Sequence, residues 1–422
     1  MSAVDLLFTR TNRCILCRSP TLKTIEGDLF TALVAAGAIS KANGADPKKS
    51  SFVRCARTDK GVHAAGNVVS LKMIVEDPDI VQKINEKLSP QIRVWGIEVT
   101  SKAFSCYQLC DSRVYEYLIP SHCFLPPHPG TFLGKKLPEI AEKCGDLDAY
   151  KARQDELAGF WDDVDEKYVR PVLESVPEDV RKVVLKALYL DEEESLTEQQ
   201  ETDEPESKQQ NEGQGESSDG AERKGAGSDN IDRKARKSSI LEAIKAVKAS
   251  YQRARNAYRI DSTRLARIQE ALDKFVGTNN LFNYTTQKKY SDLSAKRNIK
   301  SFKVDPTPVL INGREWLSLK VHGQSFMMHQ IRKMVCMAAL VVRCGCDPQR
   351  IVDTYGPTKI AIPKVPGLGL LLERPLFDSY NKKAESLGKE KILFDKYAKE
   401  MNEFKQREIY DRIFRAEEET SW

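Results

Sequence analysis

Long apolar runs are missing from this sequence. None approaches the roughly eighteen consecutive apolar residues of a membrane-spanning helix, so a transmembrane helix is excluded. The first twenty residues, MSAVDLLFTRTNRCILCRSP, hold a short apolar patch interrupted by Arg10, Arg13 and Arg18. A signal peptide places its basic residues ahead of a longer apolar stretch, so secretion is not expected. Cysteine is sparse: 10 in 422 residues. That is too few for a disulfide scaffold and fits reduced thiols inside a cell. Cys14-x-x-Cys17 is a lone pair with no second CxxC or HxxxH at zinc spacing, and Cys344-x-Cys346 is a poor complement. Four ligands are usual, so no structural zinc is expected. There is no GxxxxGK(S/T) phosphate loop and no GxSxG elbow, which leaves no motif for a nucleotide cofactor or an acyl-transfer serine. His63, His122, His128, His322 and His329 stand apart from one another and read as core or surface residues rather than ligands.

An excess of negative charge is confined to one segment. Residues 191–222 hold thirteen acidic groups and one lysine, a net of −12. Taking that segment out of the overall +5 leaves +17 on the remainder. Residues 223–274 carry fourteen Lys and Arg against six Asp and Glu, a net of +8. So basic a remainder suits a polyanion, of which nucleic acid is the commonest, although a solvated surface with a basic linker has the same composition. Residues 190–237 have no aromatic side chain and almost no aliphatic ones. They cannot bury enough surface to offset chain entropy and are expected to be disordered. The cluster RKARK at 233–237 resembles a nuclear import signal.

On either side of this insert, helical and strand patterns mix. Ile25, Leu29 and Leu33 recur at helical spacing between Thr24 and Gly37. Asn67–Met73, Gln91–Val99 and Arg113–Ile119 alternate as strands. In the last of these Arg113, Tyr115, Tyr117 and Ile119 share one face. Beyond the insert, helices are expected at 238–258 and 262–276 and a strand at Trp316–His322. Ser325 is placed to cap a helix from Phe326 to Arg343, closed by Gly345. The last forty residues read as one charged helix with Leu393, Tyr397, Met401 and Phe404 as a stripe that docks on the body. This pattern is an α+β or α/β pair around a shared sheet.

Two clusters could carry chemistry. In Arg54-Cys55-Ala56-Arg57-Thr58-Asp59-Lys60-Gly61-Val62-His63-Ala64-Ala65-Gly66, a carboxylate stands among cations at a strand-to-loop transition. Cations favour the charged form of a carboxylate, and a charged, positioned carboxylate can act as nucleophile or base. The same cations attract phosphate. A surface loop with local ion pairs has this composition too. In Gly323-Gln324-Ser325-Phe326-Met327-Met328-His329-Gln330-Ile331-Arg332-Lys333-Met334, His329 and Arg332 fall on one side of the expected helix. A planar guanidinium there could meet a carboxylate from the other half of the chain.

The first cluster, RCARTDKGVHAAG, resembles the active-site signature of the TruA-type pseudouridine synthases in their eukaryotic multisite branch. Other stretches agree in order: KTIEGDLFTALVAAG (23–37), DSRVYEYLIP (111–120), FVGTNNLFNYT (275–285, with Asn279 where the family has histidine), FMMHQIRKMV (326–335) and AIPKVPGLGLLLE (361–373). Together they span about residues 23–378. The resemblance implies two RRM-like halves sharing a continuous, mostly antiparallel sheet, with helices outside and a basic cleft between. It implies that Asp59 is catalytic, that Tyr115 stacks on the target base and helps remove its C5 proton, that Arg332 pairs with the aspartate, and that Arg57 enters the RNA helix as the base leaves. The reaction implied is isomerisation of uridine to pseudouridine, with no cofactor. The substrates implied are anticodon-stem and anticodon-loop uridines of tRNA, with small nuclear and messenger RNA as further ones. Asp59 attacks C1′ or removes the 2′ proton; the sequence leaves both routes open.

The expected organisation is an N-terminal catalytic subdomain (1–120), the start of the C-terminal subdomain with connecting helices (121–189), the insert (190–237), the rest of the C-terminal subdomain (238–380) and a charged helix (381–422). A monomer located in the nucleus, with cytoplasm or mitochondrion as further sites, is expected. One departure stands out. Family members begin with a glycine- and tyrosine-bearing strand, whereas residues 1–20 here lack that pattern. The reading is a late chain start and a sheet without one central strand. A non-catalytic tRNA-binding or chaperone protein, a chain inactivated by the missing strand, and a zinc-dependent module on Cys14 and Cys17 are the competing functions.

Overall fold

The computed structural model describes residues 2–10, 24–59, 61–178, 180–184 and 227–420. Two units emerge, one of residues 1–123, 260–342 and 346–422, the other of residues 124–259 and 343–345.

The first unit is built on a single sheet. Its strands are β1 (Ser2–Arg10), β2 (Val53–Arg54), β3 (His63–Met73), β4 (Ile92–Val99), β5 (Ser112–Pro120), β6 (Gly277–Asn280), β7 (Lys296–Val304), β8 (Val309–Ile311), β9 (Arg314–Gly323) and β10 (Leu370–Leu376). They run in the order β4-β1-β3-β10-β5-β9-β7-β6, with β2 beside β3 and β8 beside β9. Every pairing is antiparallel except that of β10 with β3. The mixed fold with a mostly antiparallel, continuous sheet is the one expected.

The missing strand is not missing. Ser2–Arg10 lies between β3 and β4, in register from Ser2↔Met73 on one side and from Val4↔Val99 on the other. A ladder needs extended backbone with free N–H and C=O groups. SAVDLLFTR offers both, without proline or glycine and with Val, Leu, Phe and Thr that suit a pleated surface. The expected glycine–tyrosine pattern is therefore not what makes a strand here, and the reading of a chain inactivated by its loss falls with it. Cys14 and Cys17 lie outside the described residues.

Against β3 and β4 packs the helix Ile25–Ala35, its first turn closed by Thr24 Oγ1, which accepts from Gly27 N at 3.0 Å. Leu29, Phe30 and Leu33 join Val69, Leu71, Met73, Ile84 and Val94 in one core cluster. The helix expected from Phe326 begins instead at Gln330 and runs to Arg343. His329 stops it: its φ of +63° is left-handed, which no helical turn tolerates. Gln330 Oε1 then accepts from Met327 N (2.9 Å), in place of the expected Ser325 cap.

The C-terminal helix also starts late. It is helical over 398–420, with its middle turn, Lys405–Tyr410, widened to i→i+5 bonding. Residues 388–394 ahead of it are irregular, because Gly388 (φ +58°) breaks the chain from the helix Asp378–Ala384. Leu393 is exposed, but Tyr397, Met401 and Phe404 dock, and Ile409, Tyr410, Ile413 and Phe414 extend the contact to Trp316 and Leu118. Gly96 on β4 is required by this docking, since a Cβ there would lie 1.8 Å from the Tyr397 hydroxyl.

The second unit is helical. Val169, Val180 and Val184 pack on Ala243 and Val247 of the long helix Gly227–Ala257. That helix begins inside the segment expected to be disordered. Residues 233–237 are good helix formers, and the packed turns after Ile240 supply a nucleus from which helix propagates backwards. The rest of the insert, 190–226, lies outside the described residues. No helix among the described residues is long and apolar enough to cross a membrane.

Candidate active site

The loop from Cys55 to Val62 is tied to β3 through its backbone. Cys55 N donates to Val68 O (2.9 Å), Asn67 Nδ2 to Ala56 O (3.2 Å), and Val62 N to Asp59 O (3.1 Å). The last bond closes a turn in which Gly61 sits at φ +97°, a conformation glycine adopts without strain. Arg54 is engaged within the fold rather than standing as a free cation. It forms a two-pronged ion pair with buried Glu26, Nε to Oε1 at 2.7 Å and Nη2 to Oε2 at 3.2 Å. Arg57 is exposed at the loop's tip.

From β5 comes Tyr115, buried, its ring edge-on to Phe326 at 5.2 Å. Burial pushes its phenol up to about 12, against the pull of Arg113. At neutral pH it is therefore a protonated hydroxyl. Arg113, two residues earlier on the same face, braces the loop by donating to Cys55 O (3.1 Å) and Gln324 O (3.2 Å).

Asp59, Arg57, Tyr115 and Arg332 all line one pocket of about 350 Å³, with Val62, Phe326 and Leu370 as its apolar wall. The sequence-derived residues thus converge. One detail differs. The charge partner of Asp59 within 4 Å, among the described residues, is His329 rather than Arg332, with Nε2 3.7 Å from Oδ2. Arg332 lies a turn into the helix and donates Nε–H to Val365 O at 2.7 Å. His329, outside the helix at positive φ, reaches further in. Burial and the charge of Lys364 push its imidazole below the usual 6.5, with Arg332 and Lys333 adding to this and Asp59 opposing it. The signal in the sequence is a histidine three residues before the arginine, and its left-handed backbone is what a helical pattern does not reveal. Thr58 Oγ1 and His329 Nδ1 are buried and bonded to nothing among the described residues. Both residues line the same pocket as the Asp59 carboxylate and the side chains of Arg57 and Arg332.

This arrangement can grip a sugar and a flat base against a negative oxygen. A family described as "tRNA pseudouridine synthase" matches residues 271–378, which contain His329, Arg332 and β10. The "tRNA pseudouridine synthase 1" of Eremothecium gossypii is 42% identical over 94% of this chain and 67% of its own length. That of Schizosaccharomyces pombe is 44% identical over 94% of this chain and 76% of its own. The chain belongs to the tRNA pseudouridine synthase family. A further member, the "tRNA pseudouridine(27/28) synthase" of Saccharomyces cerevisiae, is 33% identical over 95% of this chain and 90% of its length. Pseudouridine synthases are isomerases, as the motif resemblance implied.

Proposed function

We propose that the pocket takes one uridine lifted from a tRNA stem or loop and that Asp59 carries its isomerisation to pseudouridine. The observation that supports this is the convergence of Asp59, Tyr115, Arg57 and Arg332 on one cavity from separate parts of the chain. Lifting a base from its stack costs roughly a few kcal/mol, offset by phosphate contacts with a basic surface. The N1–C1′ bond then breaks and the uracil turns in place. C5 bonds to C1′, C5 loses its proton, and N1 takes one up. Atoms and electrons balance within the nucleotide, so the chemistry calls for no cofactor. Attack at C1′ and removal of the 2′ proton both set the same carboxylate against the ribose. Anticodon-stem and anticodon-loop uridines are the proposed targets, with small nuclear and messenger RNA as further substrates and a nuclear monomer as the working form. Incubating the chain with tRNA transcribed from C5-tritiated uridine should release tritium as pseudouridine forms. Tight binding of that tRNA with no release would point instead to an RNA chaperone.

His329 gives this reading a pH signature. Its pKa lies below 6.5, so at neutral pH the imidazole is uncharged and Asp59 is free to approach the ribose. As pH falls through that value, the imidazolium pairs with Asp59 and holds it back, and kcat should fall with it. In His329→Gln this acid limb should vanish from the kcat profile. An unchanged limb in the variant would show that another group titrates.

A further inference from the structure

Beside the candidate active site lies a second, larger cavity of about 740 Å³, which shares Arg57, Tyr115 and Phe326 with the first as a common wall. Its lining also holds Phe52, Tyr107 and Arg297, none of which touches the smaller pocket. Phe52 and Tyr107 give it aromatic surface, and Tyr107 is 65% exposed. Arg113 and Arg297 give it cations. Arg113 is committed to two carbonyls, as described. Arg297 is not: its Nε is buried and bonds to nothing among the described residues, and burial lowers its pKa from the usual arginine value with no carboxylate to counter it. Arg297 is half-buried, and a guanidinium with one N–H buried, unbonded and without a carboxylate beside it is incompletely satisfied. An anion supplied from outside would satisfy it. A neighbouring tyrosine face, largely open to solvent, is the usual platform for a nucleobase.

We propose that this cavity receives the nucleotide adjacent to the target uridine, its base stacked on Tyr107 and its phosphate held by Arg297 and Arg57. The proposal rests on the pseudouridine synthase reading and adds a subsite to it. The shared wall makes the assignment to a neighbour. A polynucleotide whose target base enters the smaller pocket passes Arg57, and its next residue meets the larger one. Stacking favours no base strongly, so the subsite steadies the strand without dictating sequence.

A tRNA stem-loop with the target uridine, compared with versions made abasic on its 5′ or its 3′ side, tests this. The wild-type chain should lose about tenfold in kcat/KM on one of the two abasic substrates, the size expected for one stacked base. Tyr107→Ala should lose as much on the intact substrate and nothing further on that abasic one, while Tyr107→Phe stays near wild type. Tyr107 is exposed, so the melting temperature should not change. Arg297→Gln should raise KM on every substrate and keep the abasic penalty. Full activity of Tyr107→Ala, or penalties that multiply when variant and abasic substrate are combined, would overturn the subsite while leaving the enzyme reading intact. Absence of wild-type turnover on the intact stem-loop would refute the enzyme reading and the subsite with it.

Discussion

Asp59→Asn should bind tRNA with close to wild-type affinity and form pseudouridine slower by several orders of magnitude, the signature of losing a group that acts in the transition state. Asparagine has the aspartate's shape and keeps one acceptor oxygen. The loop around it is held by backbone bonds at Cys55, Ala56 and Val62, none of which uses the carboxylate. The side chain is about a third exposed, so an amide there is not left desolvated. What the amide lacks is the negative oxygen. It cannot attack C1′, and it cannot accept the 2′ proton, so both routes stop at the same place. Single-turnover tritium release beside filter binding gives the two readouts. A turnover rate within about tenfold of wild type would remove Asp59 from the chemistry, because a nucleophile or base contributes far more than that. A joint loss of binding and melting temperature would make it a structural residue.

Where local pattern and tertiary structure agree, the sequence was a sufficient guide. Thr24, Leu29 and Gly37 mark the first helix, and the alternation in Arg113–Ile119 puts Arg113 and Tyr115 on the pocket side of β5, with Glu116 and Leu118 against the C-terminal helix. The departures have physical causes. β1 carries no family pattern, because its ladder asks only for extended backbone between two strand edges. Hydrophobic spacing places the helix start four residues before Gln330, because a single positive φ at His329 leaves no trace in that spacing. The contact between His329 and Asp59 follows from that backbone conformation and is therefore not legible in a helical pattern. Composition places the start of the long helix at Ser238 because it speaks for isolated chain, whereas a packed helix extends into polar sequence. The residue types of the candidate site were legible in order along the chain. Their meeting in one cavity depends on β10 joining β3 to β5, a pairing set by the whole sheet.

Lys405→Ala should be the most damaging change outside the pocket, costing about 3–5 kcal/mol as expected when one partner of a buried ion pair is removed. Glu116 is almost wholly buried on the face of β5 opposite Tyr115. Lys405 Nζ reaches it at 2.7 Å and Glu373 at 2.8 Å, Tyr410 donates to its Oε2 at 2.8 Å, and the Ser318 hydroxyl bonds its other oxygen. Burial alone would raise the Glu116 pKa, but Lys405 and these donors hold it below its usual 4.5. Burial likewise opposes the charge on Lys405, and the two carboxylates overcome it, raising Lys405 well above its usual 10.5. The signs define a window. The Glu116 contribution is complete above about pH 4.5 and is lost as pH falls through its lowered value in the folded chain. The Lys405 contribution is complete below about pH 10.5 and is lost as pH rises through its raised one. Between those limits both contributions are complete, and Lys405→Ala should show its largest loss of stability there. Denaturant unfolding at neutral pH measures the difference. A double variant, Lys405→Met with Glu116→Gln, separates pairing from packing. It removes the two most deeply buried charges and leaves Glu373, which is a quarter exposed, to solvent, so it should recover much of the loss even though each single change is harmful. If Lys405→Ala instead costs less than about 1 kcal/mol, the pair behaves as an exposed one and the network does not anchor β5. Because Glu116 adjoins Tyr115 in sequence, the single variant should also slow turnover at temperatures where it is still folded. The double variant should restore that rate together with the stability.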